Sequence, residues 1–419
     1  MTRLRRRRRP DAGRPRVLII IQNLHVPFDR RVWLECGSLR RAGYDVTVVC
    51  PRGKDSLPYE VIDDVAIHTY RPYAPGGSAL GFVLEYAYSF LATAWLVRKA
   101  RRAGRFAVLQ ACNPPDIFWP IARWLRLVDG TRFVFDHHDL CPELYESRFA
   151  DGARLPLRGL LLLERATFRT ADRVTSTNES YAAVARERGG KRAEHVTVVR
   201  TGPDPDRLRK QAEDPGRRRG RDHLVAYLGV MGPQDGVDLA LAAADVVVNE
   251  LGRDDIAFTF MGAGDSYDDL VAERDRLGLG DAVELPGRVP DAYVADVLST
   301  ADVGLCPDPR NPLNDVSTMN KTMEYMAYEL PVVSFDLRET RVSAADAAVY
   351  VRPNEVDAFA RAIVDLVDAP QQRAAMGRYG RERVEKELAW EHQQHGYVGV
   401  FDELTDELAA SRGTSAREG

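Results

Sequence analysis

Lys321 and Glu324 stand three residues apart in the stretch Asn320-Lys-Thr-Met-Glu-Tyr-Met-Ala327, where Met319, Met323, Met326 and Ala327 recur at helical spacing. Residues three apart share a helix face, so this segment offers a cation and a carboxylate side by side. A cation in the first turn opposes the helix macrodipole, at a cost of about 0.3 to 1 kcal/mol unless an anion lies beside it. Backbone N–H groups at that end can hold phosphate, and the carboxylate can accept from hydroxyls. A sugar nucleotide presents that combination, although an ordinary amphipathic helix with a solvated Lys/Glu pair has the same spacing. Ser317 and Thr318 are capping residue types, and Pro331 to Phe335 reads as a buried strand entered through a proline.

Glycine-rich turns could bring more backbone N–H groups to such a ligand. In Tyr227-Leu-Gly-Val-Met-Gly-Pro-Gln-Asp-Gly236, Gly232 and Gly236 precede a helix, and Met261-Gly-Ala-Gly264 follows a strand in the same way. Turn geometry alone also explains such glycines. After the first strand, Asn23-Leu-His-Val-Pro-Phe-Asp29 stands where a nicotinamide dinucleotide fingerprint needs glycines, which argues against a dehydrogenase.

A second polar cluster lies in Phe133-Val-Phe-Asp-His-His-Asp-Leu-Cys-Pro-Glu143, which puts Asp136, His137, His138, Asp139 and Glu143 at a strand end. Adjacent histidines in an extended segment point in opposing directions and chelate poorly together, so no metal is expected. Sugar contact and loop capping both remain open there. Asn113-Pro-Pro-Asp116 marks another strand end, open to a structural role or to ligand contact.

The elements that must position these residues are legible as two series of strands and helices. Arg16 to Gln22 is a nearly continuous β-branched run, the pattern of a strand buried on both faces. A helix to Arg41 and a strand at Val46 to Cys50 make a βαβ start. Val65 to Tyr70, Ala107 to Ala111, Arg132 to Phe135, Arg173 to Ser176 and Val196 to Val199 continue it. Pro203 to Asp222 turns polar and arginine-rich and reads as a linker. A second series runs through Leu224 to Gly229, Ile256 to Gly262, Val283 to Leu285, Val303 to Cys306, Val332 to Phe335 and Ala348 to Val351. The expected organisation is a disordered basic arm at 1–15, one doubly wound domain at 16–202, a linker at 203–222, a second domain at 223–387, a helix at 388–410 and a tail at 411–419. In such α/β sheets ligands bind at the carboxyl ends of the strands.

At 419 residues with 45% hydrophobic content the chain can bury two or three cores, and a net charge of −4 points to no nucleic-acid partner. The five cysteines, Cys36, Cys50, Cys112, Cys141 and Cys306, are scattered and lack close pairs, as in a reduced intracellular protein without structural zinc. The basic N-terminus leads into polar residues and a short strand, not into a signal-peptide core. No run reaches the roughly 18 apolar residues that a spanning helix needs. Ala79 to Val97 comes nearest but is broken by Glu85 and followed by Arg98, Lys99, Arg101 and Arg102; Leu155 to Phe168 interleaves Arg158 and Arg165. Each fits a packed helix or one lying on a membrane.

Together, Asn-Pro-Pro-Asp at 113–116, His-Asp-Leu-Cys-Pro-Glu at 138–143, the glycine segments at 227–238 and 261–264, Gly-Arg-Val-Pro at 287–290, Ala-Asp-Val-Gly-Leu at 301–305 and Asn-Lys-Thr-Met-Glu-Tyr-Met-Ala at 320–327 form an ordered set. This set resembles the family 4 glycosyltransferases, retaining enzymes of GT-B fold, from Arg16 to about Leu408. The resemblance implies an α/β chain of two Rossmann-like doubly wound domains facing a central cleft. The C-terminal domain would bind the donor and the N-terminal domain the acceptor, and the terminal helix would cross back to the first domain. Glu324 would be the ribose-binding glutamate and Lys321 a diphosphate ligand. His138, with Asp139 beside it, would be the catalytic position that reaches the transferred sugar. Gly232, Gly264, Arg288, Asp315 and Asn320 would lie on the donor side, and Asn23, Asn113 and Asp116 on the acceptor side. Two departures stand out. Val230 and Asp235 occupy places where the family commonly has two cations, and the first acid of its paired-glutamate motif falls on Val316, beside Asp315. Neutralisation of the phosphates would then lean on Lys321, the helix end and Arg310.

The expected function is sugar transfer from a nucleotide sugar to a cell-surface glycan or lipid-linked acceptor, with no metal and no cofactor. It would take place in the cytoplasm or at the inner face of the plasma membrane. A nucleotide-sugar epimerase and a non-catalytic GT-B partner subunit are the alternatives.

Overall fold

The computed structural model describes residues 3–4, 13–73, 79–148 and 154–415. Two compact units emerge. The first takes in the described residues up to Glu146, those from 154 to Arg200, and those from Gln393 onward; the second takes in Ser147, Arg148 and Thr201–His392.

In the first unit the strands are β1 (Arg3–Leu4), β2 (Arg16–Ile20), β3 (Asp45–Pro51), β4 (Tyr59–Ile62), β5 (Val65–Tyr70), β6 (Val108–Cys112), β7 (Arg132–His137), β8 (Arg173–Ser176) and β9 (Val196–Val198). They form one sheet in the order β1-β4-β5-β3-β2-β6-β7-β8-β9. From β5 to β9 all neighbours are parallel, whereas β4 pairs antiparallel with β5 and with β1. Arg3–Leu4 of the basic arm thus sits on a sheet edge, and residues 5–12 lie outside the described residues. The parallel strands are apolar and buried on both faces, as the covering helices of crossover connections require. Leu18, Ile20, Leu109, Phe133 and Phe135 belong to one core with Phe118, Leu125 and Phe168. The connection reverses direction between β2 and β6, so the loops that start at Ile21 and Asn113 flank the switch point.

The second unit holds β10 (His223–Leu228), β11 (Ile256–Met261), β12 (Val283–Gly287), β13 (Val303–Cys306), β14 (Val332–Phe335) and β15 (Ala348–Val351). All neighbours are parallel, in the order β12-β11-β10-β13-β14-β15, the doubly wound Rossmann order. Alternation splits β10 between two cores: Val225 and Tyr227 face one, Leu224 and Ala226 the other. The switch point lies between β10 and β13.

Residues 203–222, expected as a linker, are packed onto the second unit instead. Arg219 donates to the carbonyls of Phe258 and Ala282 and to Thr259, and Arg218 donates to the carbonyl of Thr300. The arginines that make this stretch look solvated satisfy the carbonyl ends of buried elements. The final helix, Trp390–Ser415, extends through most of the expected tail.

Candidate functional site

In the second unit the turns after β10, β11 and β13 converge at the switch point. Met231 N–H donates to the carbonyl of Ala263 at 3.2 Å, and its own carbonyl accepts from Ser266 N–H at 2.9 Å, which staples the first two loops together. Asn314 donates to the carbonyls of Gln234 and Pro309, both at 2.8 Å, and ties in the third. The glycines serve this packing. A Cβ on Gly264 would come within 2.4 Å of the Met231 carbonyl oxygen, and one on Gly236, at φ +67°, within 2.1 Å of the Pro307 oxygen. Gly232 N–H is met by the Asp235 carboxylate at 2.9 Å. Gly232 and Gly264, expected on the donor side, thus also serve the packing of the loops: the N–H of Gly232 is met from within its own turn, and Gly264 makes room for the neighbouring loop.

Lys321 lies in the first turn of the helix Asn320–Ala327. The anion its position calls for is Asp308, whose two oxygens lie 2.7 and 2.9 Å from Nζ. The Tyr227 ring centroid lies 5.0 Å from the same nitrogen. Burial works against the lysine charge, but Asp308 and Tyr227 outweigh it and push its pKa well above the ordinary value. Neither Ser317 nor Thr318 stands at the N-cap of this helix. Met319 is the N-cap residue, without a side-chain bond, and the Ser317 hydroxyl donates to the carbonyl of Leu313 at 2.7 Å. The N-cap side chain thus takes none of the backbone N–H groups of this first turn.

Glu324 stands half-buried one turn after Lys321, and Asn320 is exposed at the helix start. Asp315 accepts from Arg338 N–H at 3.1 Å and lies 3.6 Å from Arg310 Nε, so the acid beside Val316 is occupied by two local partners. Val230 is exposed. Arg288 is exposed after β12, a strand two places from β10.

In the first unit, Asn113 organises the second polar cluster. Its side-chain oxygen accepts from the backbone N–H of His138 (2.7 Å) and of Asp139 (3.0 Å), and its amide donates to the Asp139 carbonyl (2.7 Å). Asn23 is exposed on the loop after β2. Asp116 is buried with no hydrogen-bond partner on either oxygen, and burial, with Glu164 nearby, pushes its carboxyl up to about 7.

The two histidines part company, as alternation along an extended chain requires. His137 is buried among Phe135, Phe168 and Tyr181, with ring centroids 5.1 to 5.4 Å away, and burial brings its pKa down to about 3. His138 turns to a network with no counterpart in the sequence reading. Its Nε2 lies 2.7 Å from Arg31 Nε and 2.5 Å from Asp136 Oδ2. A protonated Nε2 donates to Asp136 and a bare one accepts from Arg31, so either tautomer is anchored on the same side.

Arg31 also donates to Asp136 at 3.0 Å and to the Val199 carbonyl at 2.8 Å, and its Nε is 3.0 Å from Glu35. Gln110 donates to Glu35 (2.7 Å) and Asp136 (3.0 Å) and accepts from Tyr397 (2.6 Å). Burial opposes the charge of Asp136, but Arg31 and His138 hold its carboxyl well below the usual range. Burial and the neighbouring Asp136 push Glu35 well above it. The two carboxyls beside one guanidinium are thus driven in opposite directions.

Cys112, Asp136 and His138 offer ligand atoms within 4.8 Å of one another. Arg31 donates to Asp136 of this set at 3.0 Å.

Comparison with known proteins agrees with both halves. The Glycosyl transferase 4-like domain matches residues 29–202, and Glycosyl transferases group 1 matches residues 222–369. The chain belongs to the family 4 glycosyltransferases of GT-B fold. A D-inositol 3-phosphate glycosyltransferase of Segniliparus rotundus is 28% identical over 184 residues, 43% of this chain and 40% of that protein. A 2-deoxystreptamine glucosyltransferase of Streptomyces kanamyceticus is 26% identical over 242 residues, 55% of this chain and 60% of that protein. The matches thus span about half the length of these curated relatives. Among solved structures, sucrose-phosphate synthase from Thermosynechococcus elongatus has a TM-score of 0.79 at 16% identity, covering 94% of this chain and 100% of that one. Anabaena HepE in complex with UDP-glucose has a TM-score of 0.67 at 14% identity, covering 94% and 99%.

Proposed function

We propose that the chain transfers a sugar, with retention of configuration, from a nucleotide sugar to a cell-surface glycan or lipid-linked acceptor, working at the inner face of the plasma membrane. The observation that carries this reading is the grouping at the second unit's switch point: a lysine in the first turn of a helix, the N–H groups of that turn and, one turn on, a carboxylate. Lys321 and the helix N-terminus would hold the diphosphate, drawing Lys321 away from Asp308, and Glu324 would accept from the ribose hydroxyls. His138, anchored by Arg31 and Asp136, would contact the transferred sugar with Asp139 beside it. The bond from the anomeric carbon to the diphosphate breaks as the acceptor oxygen bonds to the same face, and the acceptor proton passes to the leaving phosphate oxygen. No protein nucleophile and no metal is needed; the enzyme aligns the partners and stabilises the leaving group. The complex of HepE with UDP-glucose supports a nucleotide-sugar donor.

The pairing of Lys321 with Asp308, together with Val230 and Asp235 where cations are usual, favours a second reading as a non-catalytic GT-B partner subunit. Thermal unfolding against a panel of nucleotide sugars tests the first reading. A ligand present at 100 times its Kd stabilises by about 2.7 kcal/mol. Failure of every nucleotide sugar and nucleoside diphosphate to raise the Tm would overturn it, and stabilisation without turnover on any acceptor would favour the second.

A further inference from the structure

The helix Ala79–Arg101 packs Leu96, Val97 and Ala100 into the core of the first unit and also presents a second apolar row to solvent. Its inward side also carries Ser89 and Thr93, only 2% and 0% exposed. Glu85, its one acid, accepts from Gln22 at 3.0 Å, and Gln22 also reaches the Ser89 hydroxyl at 3.5 Å. On the outward side Leu84, Tyr88, Leu91 and Trp95 follow one another at helical spacing, with Leu91 66% and Trp95 62% exposed. A surface helix in water ordinarily turns polar residues outward at these positions. A contiguous exposed apolar row of this kind marks a contact surface.

The charges beside the row identify what it contacts. Arg98 and Arg102 continue the same exposed side, and Lys99 Nζ lies 5.1 Å from the Trp95 ring centroid. The neighbouring helix Trp119–Asp129, whose Trp124 lies under Arg98 at 5.8 Å, adds exposed Arg123 and Leu127. Among the described residues Arg98, Lys99, Arg102 and Arg123 form no ion pair, while buried Asp129 is taken by Arg101 at 2.7 Å. The face therefore combines apolar side chains, aromatic rings and charge of one sign. Anionic headgroups over acyl chains match it: rings settle at the headgroup level, leucines enter the acyl boundary, and arginines meet phosphate. No described helix is long and apolar enough to cross a membrane, so this one would lie in the interface.

We propose that the outward side of this helix, from Leu84 to Arg102, docks the first unit onto an anionic lipid surface. The inference rests on the membrane-peripheral reading given above and names its surface, yet its physics does not require sugar transfer. Cosedimentation of the full chain with vesicles of phosphatidylglycerol or of phosphatidylcholine tests it. Leu91→Ser combined with Trp95→Ser, and Arg98→Glu combined with Arg102→Glu, alter exposed positions and leave the core untouched. The wild type should partition onto the anionic vesicles, and the partition coefficient should drop at least tenfold in either double variant. Brominated acyl chains should quench tryptophan emission in the wild type and not in Trp95→Ser. Unchanged partition in both double variants, with loss only when Arg5 to Arg9 are replaced by Gln, would assign the contact to the arm and overturn the inference. Absence of vesicle binding, with a self-association that Leu91→Ser and Trp95→Ser abolish, would overturn it in favour of a second copy. Vesicle binding through this face by a protein that no nucleotide sugar stabilises would sink the transferase reading and leave this one standing.

Discussion

Asp308 holds both carboxylate oxygens on the Nζ of Lys321, at 2.7 and 2.9 Å, and supplies from within the fold the anion that a lysine in the first turn of a helix requires. An incoming diphosphate must compete with that carboxylate or join it. Breaking a buried pair by removing one partner costs about 3 to 5 kcal/mol, because the other charge is left behind. Asp308→Ala should lower the unfolding free energy by about that amount. A nucleoside diphosphate should then raise the Tm of the variant by more than that of the wild type, since phosphate replaces the missing counter-charge. Equal ligand-induced shifts in the two proteins would remove Lys321 from the phosphate site.

Glu324 is tested by its own truncation. A carboxylate accepting from hydroxyls contributes about 1.5 to 3 kcal/mol, so Glu324→Ala should weaken nucleoside diphosphate binding by about 10- to 150-fold. Because the side chain is half-buried at a helix surface, the melting curve should barely move. Calorimetric titration decides it; undiminished affinity with an intact melting transition would refute the ribose assignment.

The opposed pKa shifts of Glu35 and Asp136 separate two variants that look alike on paper. Asp136 carries the negative charge on which Arg31 and His138 both lean, so Asp136→Asn should cost about 3 to 5 kcal/mol. Burial and Asp136 disfavour the charged form of Glu35, so Glu35→Gln should cost less, about 1 kcal/mol. Urea unfolding at neutral pH measures both, and comparable losses would mean that Glu35 carries charge of its own.

Both parallel sheets were legible in the sequence, because strands buried on two faces write uninterrupted apolar runs. Strand β4, Tyr59-Glu-Val-Ile, escaped because it is four residues long and carries Glu60. Residues 203–222 misled for a different reason: an arginine that satisfies carbonyls of a packed element has the same letter as one in solvent. Lys321 and Glu324 stood out through helical spacing, but Asp308 did not, since an acid in Pro-Asp-Pro reads as turn punctuation. Arg31 and Glu35, four apart on one helix, look like a solvated pair. Their partners Gln110 and Asp136 arrive from strands far along the chain, and only the topology brings them together.

His137 gives the stability a pH dependence that one substitution should remove. Buried among Phe135, Phe168 and Tyr181, with no partner on either ring nitrogen, it keeps a pKa of about 3 in the folded chain against an ordinary value of 6.5. Between those values the unfolded chain binds the extra proton, so stability falls as the pH drops from about 6.5 toward 3, by about 1.4 kcal/mol per pH unit. Asp116 acts in the opposite sense: its carboxyl is raised from 3.8 to about 7, and stability falls as the pH rises through that window. That slope is common to wild type and variant and cancels in their difference. His137→Phe keeps the aromatic packing and discards two unpartnered nitrogens. Relative to wild type it should gain about 2 kcal/mol between pH 7.5 and pH 5, read from urea midpoints at the two values. A difference independent of pH would show that His137 becomes protonated within the folded protein.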